Sequence, residues 1–357
     1  MTANLSPIDS AASWKGSELD YRKEGLHQLS AAEANEIDAG LRHLRSLGDL
    51  DFLEITPETF PLPQLGIRLG QLRNDLATGR GFVLLRGLDR TRYDADDMAR
   101  IFYGLGAHIG IPTPQSWQGE LLGNVIDVSD IEAQARGYHA GGAQRMHCDS
   151  CDIVALMCLR EAISGGASRI ASAVAVHDRM VRERPDLAAI LYAGLPYRRM
   201  DLDAKHGTGR VDSRLPISNF AVREGEFSCY LSTAYANRGA NGAMPEKTRE
   251  ALDMVERLAA SPEFYLDMSI GAGDIQFLNN RLMLHGRTDY QDAPEIARRR
   301  HLLRLWLRVP QWRELGDEQR VHTPEDHRLW LRQRHAGMEF PTRYLADMTK
   351  RKQMAAD

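Results

Sequence analysis

Nowhere in the 357 residues does an apolar run approach the roughly 18 residues that span a bilayer, so no membrane-spanning helix is expected. The amino terminus, MTANLSPIDSAASWKGSELD, has no basic stretch followed by an apolar one, and no secretory signal is expected. Cysteine is scarce. Four thiols (Cys148, Cys151, Cys158 and Cys229) are too few to make a disulfide framework in a chain of this size, so a cytoplasmic, reducing location is expected. Neither charge dominates: 45 Lys and Arg stand against 49 Asp and Glu, a formal net charge of -4. That balance gives no general attraction to nucleic acid or to an anionic membrane. The short basic runs Arg298-Arg299-Arg300 and Lys350-Arg351-Lys352 lack the interleaved aromatics and basic surroundings of a nucleic-acid patch. Internal repeats and low-complexity segments are absent as well. A small molecule is the expected partner, and a homo-oligomer is left open.

What is present is apolar residue in quantity. A content of 43% hydrophobic against 26% charged residues allows a large core. The length alone suggests about two domains, although β-sandwiches and barrels of this size often form one. Ala31 to Leu47 carries apolar positions at helical spacing, and Gln71 to Leu76 continues as helix after the prolines at 57, 61 and 63. Gly81 to Gly87 is a glycine-bounded apolar run that reads as a buried strand. Asp94 to Leu105 reads as helix with Asp94 or Asp96 as its cap.

From there the pattern changes. Leu122–Val128, Ile153–Leu159, Arg169–Val174, Phe227–Leu231, Asp274–Leu278 and His301–Val309 are short strand-like runs separated by Gly- and Pro-rich turns. Asp201 to Met244 reads as irregular, Glu246 to Ala260 as a helix, and the charged tail beyond Pro310 as helical. Many short strands with few βαβ alternations favour a jelly roll or related barrel over a doubly wound sheet. The expected class is α+β, a double-stranded β-helix core flanked by N-terminal and C-terminal helices. Its boundaries are a helical segment over 1–77, the core over 78–310 with an insert near 201–262, and a helical tail over 311–357.

The segment that carries chemistry is Arg145-Met146-His147-Cys148-Asp149-Ser150-Cys151-Asp152. In an extended strand, residues two apart project to one face, which places His147 and Asp149 together and Cys148 opposite. An imidazole and a carboxylate suit ferrous iron and call for a third, distant ligand. Far along the chain, Gly271 to Asn280 reads as turn, strand and turn, leading to His285-Gly286-Arg287. His285 is placed at a strand end, where Gly286 lets backbone pass close by. Beyond it, Ala297 to Arg308 reads as a strand in which Arg300, Leu302, Arg304 and Trp306 share one face. Two arginines beside Leu and Trp ask for anions, and a guanidinium is the best bidentate partner of a carboxylate. His301 faces the other way and is expected to be structural.

The HxD triplet, the distal histidine in its FLNNRLMLHGR context and the RRHLLRLWL run together resemble the taurine dioxygenase/clavaminate synthase-like superfamily of Fe(II)/2-oxoglutarate oxygenases. GRGFVLLRGL, from Gly79 to Leu88, is similar to that family's first core strand, so the resemblance runs from about Gly79 to Val309. It implies a single oxygenase domain in which His147, Asp149 and His285 hold iron. It implies also that Ser168, after the turn Gly165-Gly166-Ala167, stands where better-known members carry a threonine that helps hold 2-oxoglutarate. Arg300 matches the arginine that pairs with the distal carboxylate of 2-oxoglutarate. Arg304 matches a position that in some members meets an anionic substrate or supports the cosubstrate. The stretch from His285 to Arg300 is slightly longer than in close taurine dioxygenase relatives and the loop Gln291 to Ile296 absorbs the difference, so the two arginines are free to exchange roles.

The implied activity is oxidation, by default hydroxylation, of an unactivated C–H bond, with O2 consumed and succinate and CO2 released. Asp149 argues against halogenation, which needs the carboxylate position vacated. Two rivals compete with this reading: a zinc site built on Cys148-x-x-Cys151 with His147 or Cys158, and a non-catalytic binding protein of the same fold. No second CxxC follows, and small packed side chains are the expected role of these cysteines. Further polar candidates for a pocket are Gln115, Trp117, Asn124, His139, Arg145, Tyr230, Tyr235 and Arg238.

Overall fold

Phe82-Val83-Leu84-Leu85 sorts its side chains between two cores, and that alternation organises the molecule. Phe82 and Leu84 enter one apolar cluster, while Val83 and Leu85 enter a second on the opposite face of the sheet. The computed structural model describes residues 5–132, 137–198, 216–239 and 244–356.

Strands in chain order are β1 (Leu26–Gln28), β2 (Phe82–Arg86), β3 (Ile111–Pro112), β4 (Leu122–Val125) and β5 (Gln144–His147). There follow β6 (Ile153–Arg160), β7 (Ser164–Gly165), β8 (Ser168–Ser172), β9 (Phe220–Arg223) and β10 (Glu226–Cys229). The last are β11 (Tyr265–Met268), β12 (Ile275–Asn279), β13 (Met283–Arg287), β14 (Tyr290–Gln291) and β15 (His301–Arg308). A seven-stranded major sheet runs β1-β2-β12-β6-β15-β3, with β4 paired to β15 as well. A four-stranded minor sheet runs β11-β8-β13-β5. This is the expected jelly roll.

The outer face of the major sheet is closed by three helices, Ala31–Ser46, Leu65–Thr78 and Ala95–Ile109. Leu41, Leu44, Leu65, Leu69, Ile101 and Phe102 meet Ile153, Ala155, Phe277, Leu303, Leu305 and Leu307 there. Ser30 caps the first helix with a capping box to Glu33, and Asp94 caps the third, as its position in the sequence suggests. The inner cluster joins both sheets. Val154, Leu278 and Trp306 from the major one lie with Met146, Ile170 and Leu284 from the minor one.

Several expectations need correction. The second helix begins at Leu65, not near Gln71, because Glu36 accepts from the backbone N–H groups of Gln64 and Leu65 and anchors its first turn. The Arg169–Val174 strand stops at Ser172, whose side chain caps a helix over Ala173–Glu183, and Pro185–Ala193 follows as another helix. Ser172 is buried and accepts from the Ala175 N–H, so the chain turns from sheet to helix at that residue. Within the Asp201–Met244 stretch, residues 201–215 and 240–243 lie outside the described residues. The remainder contains the β9–β10 hairpin and a helix over Thr233–Gly239 rather than irregular chain. Glu246–Ala259 and the tail helices Pro324–Leu331 and Pro341–Ala356 are as expected.

Candidate metal centre

β13 pairs antiparallel with β5, and in that register His285 and His147 are direct partners across the two strands. Residues opposite one another in such a pair stand side by side on one face, and the two imidazole centroids lie 4.3 Å apart. His285 therefore occupies the middle of β13, not a strand end, because the turn from Asn279 is tight and the strand already begins at Met283. Gly286 does admit close backbone. A Cβ there would lie 2.5 Å from the Gln144 carbonyl oxygen, so only glycine lets β5 approach β13 at this height.

Asp149 reaches the same point differently from the expected strand geometry. β5 ends at His147, and Asp149 lies in the loop that follows. Asn280 holds it there, accepting from the Asp149 N–H at 2.9 Å and donating to the carbonyl oxygens of Asp149 and Cys151. The carboxylate Oδ1 then stands 3.7 Å from His147 Nε2, and Oδ2 the same distance from His285 Nε2. One donor atom from each of the three residues lies within 4.8 Å of the others, and among the described residues no other group of three His, Cys, Asp or Glu does so. The cysteines form no rival cluster. Cys148 and Cys229 are buried with their sulfurs 4.0 Å apart, packed in the inner core.

The protonation states suit a divalent metal. His147 donates Nδ1–H to the Arg145 carbonyl at 2.9 Å, the tautomer that leaves an Nε2 lone pair for a metal. His285 is 7% exposed, and burial, then the neighbouring His147, pull its pKa down to about 3, so it is a neutral imidazole near pH 7. Burial pushes the Asp149 carboxyl up, but the Arg304 guanidinium leads the effects that outweigh this and hold it well below the usual carboxylate range. Oδ2 accepts from Trp306 Nε1 at 2.8 Å and from Arg304 Nη1 at 3.4 Å. Two imidazoles and one carboxylate, with no thiolate, form a donor set that fits ferrous iron.

The two arginines stand in different surroundings. Arg304 lies in β15 on the inner face, where Leu156 and Gln276 continue its row across β6 and β12. Its Nε donates to Gln115 Oε1 at 2.7 Å and Nη1 to Asp149, while Nη2 is buried with no partner among the described residues. The Tyr138 and Trp306 rings flank its guanidinium at 4.4 and 5.2 Å. Arg300 precedes β15, just before a bulge between His301 and Leu302. It is 7% exposed and donates to the Gly166 carbonyl at 3.1 Å, and among the described residues no carboxylate lies within ion-pair distance of its guanidinium. Burial, followed by the like charge of Arg287, pulls its pKa down to about 10, which leaves it cationic.

Gly166 adopts φ +73°, and a Cβ there would meet Arg300 Nε at 2.9 Å, so the glycine turn makes room for the guanidinium. Two residues on, Ser168 is buried on β8 and donates to Gln276 Oε1 at 2.9 Å, tying the minor sheet to the row that holds Arg304.

Of the other polar candidates, Gln115 orients Arg304, and its Nε2 bonds the carbonyls of Leu121 and Arg304. Tyr230 Oη lies 3.3 Å from Ser150 Oγ, next to Asp149. Asn124 is structural, donating to the carbonyls of Met338 and Glu339 and accepting from the buried His301, whose structural role is as expected. His139 donates to the Asn124 carbonyl. Arg145 points to solvent near Glu256, and the Arg238 side chain lies outside the described residues. Asn280, Gln276 and Trp306 are the site neighbours whose roles sequence reasoning missed. Trp306 carried a signal as the residue two beyond Arg304 on the inner face, and Asn280 carried one as part of the FLNNRLMLHGR run.

A model of the family described as "Taurine catabolism dioxygenase TauD, TfdA family" matches residues 45–306. The chain is 30% identical over 313 residues to the taurine hydroxylase-like protein SAT17 of Stachybotrys chartarum, covering 84% of this chain and 79% of that one. It is 26% identical over 326 residues to FR-33289 synthase of Streptomyces rubellomurinus, covering 88% and 94%. Among solved structures, an asparagine oxygenase with Fe(II), 3-hydroxyasparagine and succinate superposes with a TM-score of 0.63 at 16% identity, covering 80% of this chain and 93% of that one. The non-heme iron oxygenase OrfP with Fe and alpha-ketoglutaric acid gives 0.61 at 16% identity, covering 84% and 100%.

Proposed function

The chain belongs to the taurine catabolism dioxygenase TauD, TfdA family, and from that premise we propose that His147, Asp149 and His285 hold the iron of its reaction while Arg300 and Ser168 hold its cosubstrate. The protein is an Fe(II)/2-oxoglutarate-dependent dioxygenase of the hydroxylating kind. When bound, ferrous iron and 2-oxoglutarate supply the oxidising chemistry: O2 is consumed, 2-oxoglutarate becomes succinate and CO2, and a substrate C–H bond is hydroxylated.

The chain's residues bind and orient. The imidazoles present Nε2 from two adjacent strands, and Asn280 keeps Asp149 opposite them although no strand does so. Arg300 is the observation that carries the cosubstrate assignment: a buried cation without an acidic partner among the described residues is costly until an anion arrives. The distal carboxylate of 2-oxoglutarate is that anion, and the planar fork of a guanidinium matches it. Ser168 lies two residues beyond the Gly166 carbonyl that orients Arg300, with its hydroxyl on the inner face. One nitrogen of Arg304, Nη2, is left without a partner among the described residues, and its N–H groups face either the cosubstrate or an anionic group of the substrate.

The substrate we infer is a small polar metabolite with a carboxylate, sulfonate or similar group. The solved relatives are complexed with 3-hydroxyasparagine and with hydroxylated L-arginine, which is in keeping with that size and polarity. One oxygenase domain is proposed for the described residues, since both sheets share the inner core and the flanking helices close the outer one. Among the described residues no helix is long and apolar enough to cross a membrane. The decisive experiment is succinate formation from 2-oxoglutarate with added Fe(II), screened over small amino acids, carboxylates and sulfonates, with His147→Ala as the blank. Stimulation by one class above that blank supports the reading. Binding of iron without any succinate in any arm would favour the non-catalytic rival.

A further inference from the structure

We propose that Trp306 is a positioning residue for the metal: its indole N–H holds Asp149 Oδ2 and so presents Oδ1 as the single carboxylate atom offered to iron. The inference rests on the assignment of His147, Asp149 and His285 as ligands, and it deepens that assignment.

The need for such a device follows from the backbone. His147 and His285 are held by cross-strand pairing, but Asp149 lies past the end of β5, where no ladder fixes its side chain. Asn280 secures the main chain of Asp149 and leaves the carboxylate free to turn. What fixes the carboxylate is contact with β15. Trp306 Nε1 lies 2.8 Å from Oδ2, and Arg304 Nη1 lies 3.4 Å from the same atom. Among the described residues nothing donates a hydrogen bond to Oδ1, which stands 3.7 Å from His147 Nε2. The two oxygens are thus made unequal, one engaged by protein and one not.

Of the two donors, Trp306 is the closer and the more rigid. Its side chain is 2% exposed, packed in the inner cluster with Val154, its cross-strand partner on β6. An indole offers one N–H in one direction and no acceptor, so it fixes a carboxylate rotamer without competing for a metal. Arg304 reaches the same oxygen through an arm that Gln115 orients. A carboxylate free to rotate is able to bind a cation through both oxygens, which takes one more coordination position than two histidines and a single oxygen occupy. Groups that orient a ligating side chain from outside commonly change metal affinity by about 10- to 100-fold when removed.

The test uses the full-length apoprotein under anaerobic conditions and Co(II) as an absorbing stand-in for ferrous iron. Three proteins are compared: wild type, Trp306→Phe, and a chain carrying β-(3-benzothienyl)alanine at position 306, which keeps the ring shape and loses only the N–H. Both altered proteins are expected to bind Co(II) about 10- to 100-fold more weakly, with a changed visible ligand-field spectrum. Should the phenylalanine variant fail to fold, the benzothienyl chain decides. A benzothienyl chain that folds and binds Co(II) with wild-type affinity or a wild-type spectrum overturns the role of Trp306. Asp149→Ala separates this from the ligand assignment. Loss of Co(II) binding in Asp149→Ala beside normal binding by the benzothienyl chain sinks only the Trp306 role. Wild-type binding in Asp149→Ala sinks the assignment itself.

Discussion

His147 and His285 are in-register partners of two antiparallel strands, with imidazole centroids 4.3 Å apart, although they come from distant parts of the chain. Their juxtaposition is a property of the register between β5 and β13. His285→Ala is therefore expected to leave secondary structure intact and to abolish stoichiometric iron binding. The loss should exceed the roughly 10- to 100-fold that outer groups command. Iron content after anaerobic reconstitution, read beside circular dichroism, checks it. A variant that retains one tightly held iron would remove His285 from the site.

Arg300→Ala should raise the 2-oxoglutarate KM with a smaller effect on kcat. A hydrogen-bonded charge contributes about 1.5–3 kcal/mol, which corresponds to about 10- to 150-fold in KM. Arg304→Ala should act differently, since its guanidinium also touches Asp149 Oδ2, and iron affinity should fall with it. An unchanged KM in Arg300→Ala would move the cosubstrate to Arg304.

Gly286→Ala tests the close approach of β5 and β13. The added methyl group would sit 2.5 Å from the Gln144 carbonyl oxygen, a backbone atom that has nowhere to retreat without separating the strands. The cost should be about 1–3 kcal/mol of stability, with weaker iron binding because the two histidines part. Chemical denaturation of the apoprotein and iron titration measure the two effects. Stability equal to wild type would mean that the strands slide freely past each other.

A second buried polar cluster ties the amino-terminal segment to the minor-sheet side. Asp178 accepts from the Ile8 N–H at 2.9 Å and from Ser13 Oγ at 3.0 Å, and it lies 2.9 Å from His177 Nδ1. Burial raises its pKa, but these hydrogen bonds outweigh burial and leave it below the ordinary carboxylate value. With the folded pKa depressed, the stabilisation is complete above the unfolded pKa of about 3.9 and is lost as pH falls through the folded value. Asp178→Asn should thus be less stable than wild type near neutral pH, by about 1–3 kcal/mol. The two melting temperatures should converge as the pH drops below the carboxylate range. A difference that persists at low pH would show that the anion is not what holds the segment.

The legible part of the site was its chemistry and its local geometry. A histidine, a carboxylate two residues on, a distant histidine and an arginine-bearing strand are residue types, and residue types are present in the sequence as written. The alternation that put Arg304 and Trp306 on one face of β15, with Leu303 and Leu305 on the other, is set by the twofold repeat of extended chain. The Gly-Gly turn before Ser168 was equally readable, because glycines adopt the left-handed backbone that turn requires.

What the tertiary structure alone decided was pairing and partnership. That His147 stands opposite His285 is a matter of register between strands remote in sequence, and no local pattern encodes it. Asp149 left the strand that its spacing implied because Asn280, from a distant turn, bonds its main chain in a loop. Arg304 and Arg300 are alike as sequence. Only the fold gave one a carboxylate neighbour and left the other a buried cation beside a glycine carbonyl. The physical reason is common to all three: propensity and periodicity act over a few residues, whereas hydrogen bonds and charge pairs follow distance in space.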